Sequence, residues 1–176
     1  MASAGAALSL TTAPATALQG QSLAGHPLVG SWLLTGTFDI GLTVAATSIA
    51  GADGSLIIVF PPVEVDPRGQ VRLRGPAVGA WEAVDDRTGR YTVVHVLSDL
   101  DGGYLGTMTI DGESVIGDDG KTLADTDSKR LLTLRDPANA IIAEVPGASV
   151  TSLSGRRITP GNAGFSEPIG EGTPVG

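Results

Sequence analysis

The stretch GSWLLTGTF, residues 30–38, alternates its side chains between two faces of an extended chain. This period of two puts Trp32, Leu34 and Phe38 on one face and the residues between them on the other. Later segments repeat the pattern between turns rich in Gly, Pro, Asp and Asn. About eight or nine short strands result, with no amphipathic helix, so the chain is predicted to be all-β.

Two features at opposite ends of the strand region favour a barrel over a sandwich. Gly30 and Trp32 begin the first strand, and Arg156 and Arg157 lie in the last. A Trp ring that fills one end of a small barrel can be covered by a guanidinium in a cation–π contact. Strand parity does not decide which arginine faces inward. We predict a single antiparallel up-and-down β-barrel of about eight strands, closed at one end by these residues.

The composition limits the possible partners. A chain of 176 residues is long enough for one domain with a substantial core. The formal net charge of -8 gives it no electrostatic attraction to nucleic acid or to an anionic membrane surface. With no cysteine, it has neither disulfides nor thiolate chemistry. No apolar run reaches the ~20 residues of a spanning helix. We expect neither nucleic acid nor a membrane among its partners.

The two ends of the chain are read separately from the barrel. Residues 4–10 resemble the core of a secretory signal, and Ala15-Thr16-Ala17 has the form of a cleavage site. No Lys or Arg precedes Arg68, so residues 1–24 are either the remnant of a signal peptide or a disordered tail. The first reading predicts export to the periplasm or beyond, and the second a cytoplasmic protein. The barrel is assigned to residues 25–160 and a disordered C-terminal tail to residues 161–176.

Two internal segments have no clear strand pattern. Residues 61–78 are rich in Pro, Gly and Arg, and a connection of this length is often a lid or a binding loop. Asp111-Gly112, between apolar residues, predicts a tight hairpin or a bulge.

The order of short motifs along the chain resembles one family. The motifs are Gly30-x-Trp32, Gly54, Gly79-x-Trp81-Glu82, the strand Tyr91 to Leu97, Asp101-Gly102 and Gly155-Arg156-Arg157-Ile158. In this order they resemble small bacterial lipocalin-like (calycin-type) β-barrel proteins over residues 28–160. Many of those proteins carry export signals, and most have no assigned activity. The resemblance implies a barrel with one closed and one open end, in a fold widely used to hold small apolar molecules.

The strand Tyr91-x-Val93-x-His95-x-Leu97 carries the best candidates for chemistry. If this face lines the lumen, Tyr91 and His95 are polar groups in an apolar cavity and candidates for proton transfer. A solvent-facing or hydrogen-bonded structural histidine fits the same pattern. Trp81 either packs in the core or stacks on a ligand. The predicted ligand contacts, chosen by side-chain type, are Phe38, Trp81, Tyr91, His95 and Tyr104.

Two acidic segments invite a calcium site but fit turns better. Asp99-x-Asp101-Gly102 lacks the glutamate that an EF-hand loop requires, because Ile110 takes that position. Asp and Gly in it and in Asp118-Asp119-Gly120 adopt the dihedral angles of hairpin turns. No His/Cys cluster indicates zinc, and no glycine-rich loop opens a helix. We predict no metal and no cofactor.

These observations leave three hypotheses for function. The first is binding of a small, mainly apolar molecule in the lumen by a carrier or sequestering protein, with residues 61–78 at the mouth. The second is a barrel-type cyclase or isomerase for a hydrophobic substrate, in which His95 or Tyr91 moves a proton. The third is a scaffold barrel with a filled lumen. The sequence does not establish whether the protein is an enzyme.

Overall fold

The computed structural model describes residues 23–38, 43–65, 70–125, 130–146 and 150–161, and these are almost entirely β-strand. A short 3₁₀ turn, Leu23–Gly25, comes first. The strands are β1 (Gly30–Phe38), β2 (Thr43–Ala50), β3 (Ser55–Val59), β4 (Val63–Val65), β5 (Val71–Arg74), β6 (Ala77–Ala83), β7 (Thr88–Ser98), β8 (Tyr104–Ile116), β9 (Thr122–Asp125), β10 (Leu131–Arg135), β11 (Ile141–Pro146) and β12 (Val150–Ile158). The all-β prediction is confirmed.

Eight of these strands form a closed antiparallel ring: β1, β2, β3, β6, β7, β8, β9 and β12. The first and last strands meet through pairs such as Ser31–Ile158 and Trp32–Arg157. The β7–β8 pairing, which runs from Thr88–Val115 to Ser98–Tyr104, completes the ring. Ring neighbours follow one another along the chain apart from two inserted hairpins. The predicted single antiparallel barrel of about eight strands is confirmed.

The two inserted hairpins account for the larger number of strands. The hairpin β4–β5 lies within the segment predicted as a lid or loop, and Leu73 and Arg74 of β5 pair with Ser98 and Leu97 of β7. The hairpin β10–β11 pairs with the first half of β8. The strands of the β4–β5 hairpin are short and flanked by Pro, Gly and charged residues, so the sequence shows no sustained pattern there.

Two expected boundaries differ from the structure. The sequence from Lys121 to Leu134 predicts a single strand, whereas the structure has two, β9 and β10, which pair with successive parts of β8. The hairpin or bulge predicted at Asp111-Gly112 is absent, because β8 continues through both residues in register with β7. Gly112 lies opposite Tyr91, and a Cβ at Gly112 would lie 2.5 Å from the Tyr91 hydroxyl oxygen. The glycine therefore makes room for a ring.

We call the end of the barrel where β1 begins the plug end, and the end where β1 finishes the rim end. Trp32 fills the plug end with no exposed surface, and its Nε1–H donates to the Leu28 carbonyl at 2.8 Å. The Arg157 guanidinium carbon lies 4.5 Å from the centre of the Trp32 ring. Arg156 is exposed. The structure thus places Arg157, not its neighbour, on the tryptophan.

Backbone carbonyls fix the Arg157 side chain over Trp32. Arg157 Nε–H donates to Gly120 at 2.9 Å and Nη1–H to Val29 at 2.8 Å, while Nη2–H donates to the Pro27 carbonyl. Gly30 has a φ of 137°, and a Cβ there would lie 2.5 Å from Arg157 Nη1. A side chain at position 30 would therefore be strained by its backbone and would displace the guanidinium.

The predicted tails lie largely outside the described residues, including the signal-peptide remnant and the segment from residue 162 onward. The described chain starts two residues before the predicted barrel boundary, and Leu23 already packs against the core.

The acidic segments considered for calcium are turns in which a carboxylate caps backbone N–H groups. Asp99 Oδ1 accepts from the N–H groups of Asp101 and Gly103 at 3.0 and 2.6 Å. Asp119 Oδ1 accepts from those of Lys121 and Thr122 at 2.8 and 3.0 Å, and these hydrogen bonds lower the pKa of the Asp119 carboxyl. Each carboxylate stabilises its own hairpin.

Candidate functional site in the rim half of the barrel

The face of β7 that carries Tyr91 and His95 points into the barrel. Tyr91, Val93, His95 and Leu97 are all buried, whereas the alternate residues of this strand are exposed. Both candidates for proton transfer therefore lie in the interior. Their surroundings differ so strongly that they cannot have the same role.

Tyr91 belongs to a buried ionic network. Its hydroxyl donates to Asp125 Oδ2 at 3.0 Å, and the Arg130 Nη2 donates to the same oxygen at 2.7 Å. Ser114 Oγ donates to Asp125 Oδ1 at 2.8 Å. The side chains of Arg130 and Asp125 are 3% and 0% exposed, so the ion pair is out of contact with water.

This network removes Tyr91 from consideration as a proton-transfer group. Burial raises the pKa of the Tyr91 hydroxyl, and the negative charge of Asp125 raises it further. The phenol stays protonated, and its O–H donates a hydrogen bond to the Asp125 carboxylate, which also accepts from Arg130 and Ser114. Tyr91 therefore acts as a fixed partner of Asp125, in a group that holds β7, β8 and β9 together.

His95 is buried without exposed surface, and its two ring nitrogens are in unequal positions. Nδ1 lies 2.7 Å from the Gly75 carbonyl, which can only accept, so Nδ1 carries the hydrogen. Nε2 is buried and has no hydrogen-bond partner among the described residues. Burial lowers the pKa of His95, and the positive charge of Arg74 lowers it further, against the effect of the Gly75 carbonyl. The ring is neutral at pH 7, with a bare lone pair on Nε2.

The β4–β5 hairpin and the end of β3 supply the surroundings of His95. The Phe60 ring makes an edge contact with the imidazole, with 5.2 Å between ring centres. Arg74 lies over the same phenyl ring, with its guanidinium carbon 4.8 Å from the centre. Arg74 Nη1 is 3.6 Å from Glu64 Oε2, and burial lowers the pKa of Arg74. Phe60 thus contacts both Arg74, which pairs with Glu64 in the hairpin, and His95 of the barrel wall.

Unsatisfied buried atoms concentrate at this place. Among the described residues, the buried side-chain nitrogen and oxygen atoms without a hydrogen bond are Glu64 Oε2, Arg74 Nε and His95 Nε2. An unpaired buried polar group costs about 1–3 kcal/mol, so such groups are rare in folded proteins. All three atoms belong to the cluster around Phe60. We call Phe60, Glu64, Arg74 and His95 the rim cluster.

The barrel interior near the rim cluster is lined by apolar residues of mixed size. The inward positions of β1, β2, β6 and β8 in this half include four buried small residues, Gly36, Ala46, Ala77 and Gly106. The larger apolar side chains of Ile58, Leu97 and Met108 are buried in the same half. The plug half holds the largest side chains, among them Trp32 and Trp81.

Two of the other predicted ligand contacts lie away from the rim cluster. Trp81 is buried toward the plug end, where its Nε1–H donates to the Gly51 carbonyl at 2.9 Å and its ring packs on His26. Tyr104 begins β8 with 51% of its surface exposed. The Phe38 side chain lies outside the described part of the structure. Of the four predicted contacts whose side chains are described, His95 belongs to this cluster.

The sequence analysis missed most of both clusters. Glu64 and Arg74 belong to the segment read as a loop, and Phe60 ends the apolar strand before it. Asp125 and Arg130 belong to a polar stretch read as strand. An arginine in an alternating apolar strand such as Val71-Arg72-Leu73-Arg74 was the available signal. It does not identify the partner, which comes from a distant strand.

The outer wall holds a shallow depression of about 290 Å³, lined by residues 90–92 and 111–113. Its polar groups are bonded to one another: Arg90 Nε–H donates to Glu113 Oε1 at 3.0 Å, and the Thr92 hydroxyl donates to Asp111. Within the described ranges, no three His, Cys, Asp or Glu side chains are grouped to bind a metal ion. No helix in the same ranges is long and apolar enough to cross a membrane.

Comparisons with known proteins provide a likeness of fold alone. No family model and no curated protein matches the chain. The solved structure of a redesigned β-barrel matches with 13% sequence identity and a TM-score of 0.39, covering 79% of this chain and 98% of that one. No inference about function is drawn from that likeness.

Proposed function

We propose that this protein is a lipocalin-like binding protein that holds one small, mainly apolar molecule in the rim half of its barrel. The observation that carries the proposal is His95, a buried histidine whose Nε2 has no partner among the described residues. Small inward residues and the Phe60 ring supply an apolar environment beside it. Such a site, mostly apolar with a few polar groups that converge, is typical of small-molecule pockets.

The test is native mass spectrometry of the full chain after incubation with an organic extract of small metabolites. We expect the wild type to retain a reproducible adduct. Ala46→Leu, which adds volume inside the barrel, should lose the adduct, and Ala45→Leu, which adds the same volume outside on the same strand, should keep it. Circular dichroism shows whether both variants are folded. No adduct on the wild type would contradict the proposal and favour a filled scaffold barrel.

The alternative is a cyclase or isomerase, and the orientation of His95 is the observation in its favour. A neutral imidazole with Nδ1–H held by a carbonyl presents Nε2 as a general base. In this case the extract would lose one compound and gain an isomer, and the activity would disappear in His95→Gln. Retention of an unchanged compound would decide for the binding protein.

A further inference from the structure

We infer that the polar group of the bound molecule is a neutral hydroxyl, placed between His95 and Arg74. This inference rests on the proposed function and specifies the class of its ligand: an apolar alcohol. It follows from what each unsatisfied atom of the rim cluster requires and from the charge around it.

His95 Nε2 requires a hydrogen-bond donor. The Gly75 carbonyl fixes the hydrogen on Nδ1, so the buried Nε2 carries a lone pair without a partner among the described residues. An ether, a ketone or a hydrocarbon cannot donate to it. A hydroxyl, an amine or an amide can.

Arg74 Nε–H requires an acceptor close to the same ring. Arg74 and His95 both contact Phe60, from the guanidinium carbon at 4.8 Å and from the imidazole centre at 5.2 Å. A hydroxyl is the smallest group that both donates and accepts, so it meets both requirements beside Phe60.

The local charge selects a neutral group. Glu64 lies 3.6 Å from Arg74, so their charges largely cancel, and His95 is neutral. A ligand carboxylate would be repelled by Glu64 and would face the bare lone pair of His95. A ligand ammonium would be repelled by Arg74. Burying either charge without a full partner costs more than burying a hydroxyl.

The experiment compares four probes that each contain ten carbon atoms: decan-1-ol, decanoate, decylamine and the ether 1-methoxynonane. Isothermal titration with the full chain should give decan-1-ol an affinity at least about tenfold above each of the others, the value of one satisfied buried polar group. Long-range ¹H–¹⁵N spectra should show the His95 Nε2 resonance moving on binding of the alcohol. The His26 resonances serve as the internal reference, since both nitrogens of that ring are already hydrogen-bonded.

Each result has a distinct meaning. Equal affinity for the ether and the alcohol would overturn the inference that the ligand carries a hydroxyl, and the proposed binding function would remain. If decanoate or decylamine bound most tightly, the inference that the polar group is neutral would be overturned, and the proposed binding function would again remain. Binding of none of the four would contradict the proposed function itself.

Two variants test the residues. His95→Phe should reduce the affinity for decan-1-ol to that for the ether, with the ether unaffected, and Arg74→Met should do the same if the first variant fails to fold. His26→Phe, the matched substitution at the plug end, should keep the preference. A preference for the alcohol that persists in folded His95→Phe and in Arg74→Met would overturn the inference.

Discussion

The two histidines of this chain differ in how many of their ring nitrogens have a hydrogen-bond partner. His26 Nδ1 accepts from the Leu28 N–H at 3.1 Å, so its Nε2–H is free to donate to the Asp85 carbonyl at 3.0 Å. His95 has one nitrogen satisfied and the other bare. Both ring nitrogens of His26 are therefore satisfied, whereas His95 has one nitrogen without a partner among the described residues.

At the same scale, Trp32 and Arg157 give a prediction about stability. Trp32→Ala should lower the free energy of unfolding by about 3–5 kcal/mol, because a fully buried ring leaves a cavity. Arg157→Ala should also destabilise clearly, since it removes the cation–π contact and the donors to three carbonyls. Denaturant unfolding measures both.

The matched control for Arg157 is its neighbour. Arg156 is exposed, so Arg156→Ala should change stability by no more than about 0.5 kcal/mol. Equal effects of the two arginine variants, or a Trp32→Ala protein as stable as the wild type, would refute the closure described for the plug end.

At the scale of elements, the break between β9 and β10 is held by a buried ion pair. Asp125 is the last residue of β9 and Arg130 directly precedes β10, and the two strands pair with successive parts of β8. The carboxylate also accepts from Tyr91 of β7 and Ser114 of β8. One charged group thus ties together the strands around the interruption.

The prediction at this scale compares two isosteric substitutions. Asp125→Asn should destabilise by about 3–5 kcal/mol, because it removes the buried negative charge that pairs with Arg130. Glu113→Gln removes the charge from a similar pair with Arg90, which is 56% exposed, and should cost at most about 1 kcal/mol. Chemical denaturation of both variants gives the comparison. Similar decreases in the free energy of unfolding of the two variants would show that the buried pair stabilises the protein no more than the exposed pair.

At the scale of the whole molecule, β9 has the shortest pairings of the ring within the described residues. It pairs with β12 through Ala124–Ser154, Leu123–Gly155 and Thr122–Arg156, and its pairing with β8 is equally short. The neighbouring β7–β8 pairing extends over the full length of β7. Stability is therefore expected to be distributed unevenly around the barrel.

Hydrogen exchange in the native state tests this distribution. The amides of Thr122–Asp125 should exchange through openings of lower free energy than those in the middle of β7, and Asp125→Asn should accelerate them further. Equal protection of β9 and β7 would mean that the ring opens only by global unfolding.

The sequence by itself determined the strands, the barrel and the plug. Side chains on a strand alternate with a period of two, so the sequence of a strand shows which of its residues share a face, as do Trp32 with Leu34 and Tyr91 with His95. The closing tryptophan was identified because a large ring at the start of the first strand of a small barrel fills the end of that barrel.

Only the tertiary structure decided which polar groups meet. Tyr91 and Asp125 are 34 positions apart, and His95 and Gly75 are 20 apart, on strands whose pairing no local pattern specifies. The choice of Arg157 over Arg156 likewise depends on carbonyls from the segment before β1. Periodicity reports the face on which a side chain lies, whereas a hydrogen-bond partner depends on register between strands. That register is set only when the ring closes.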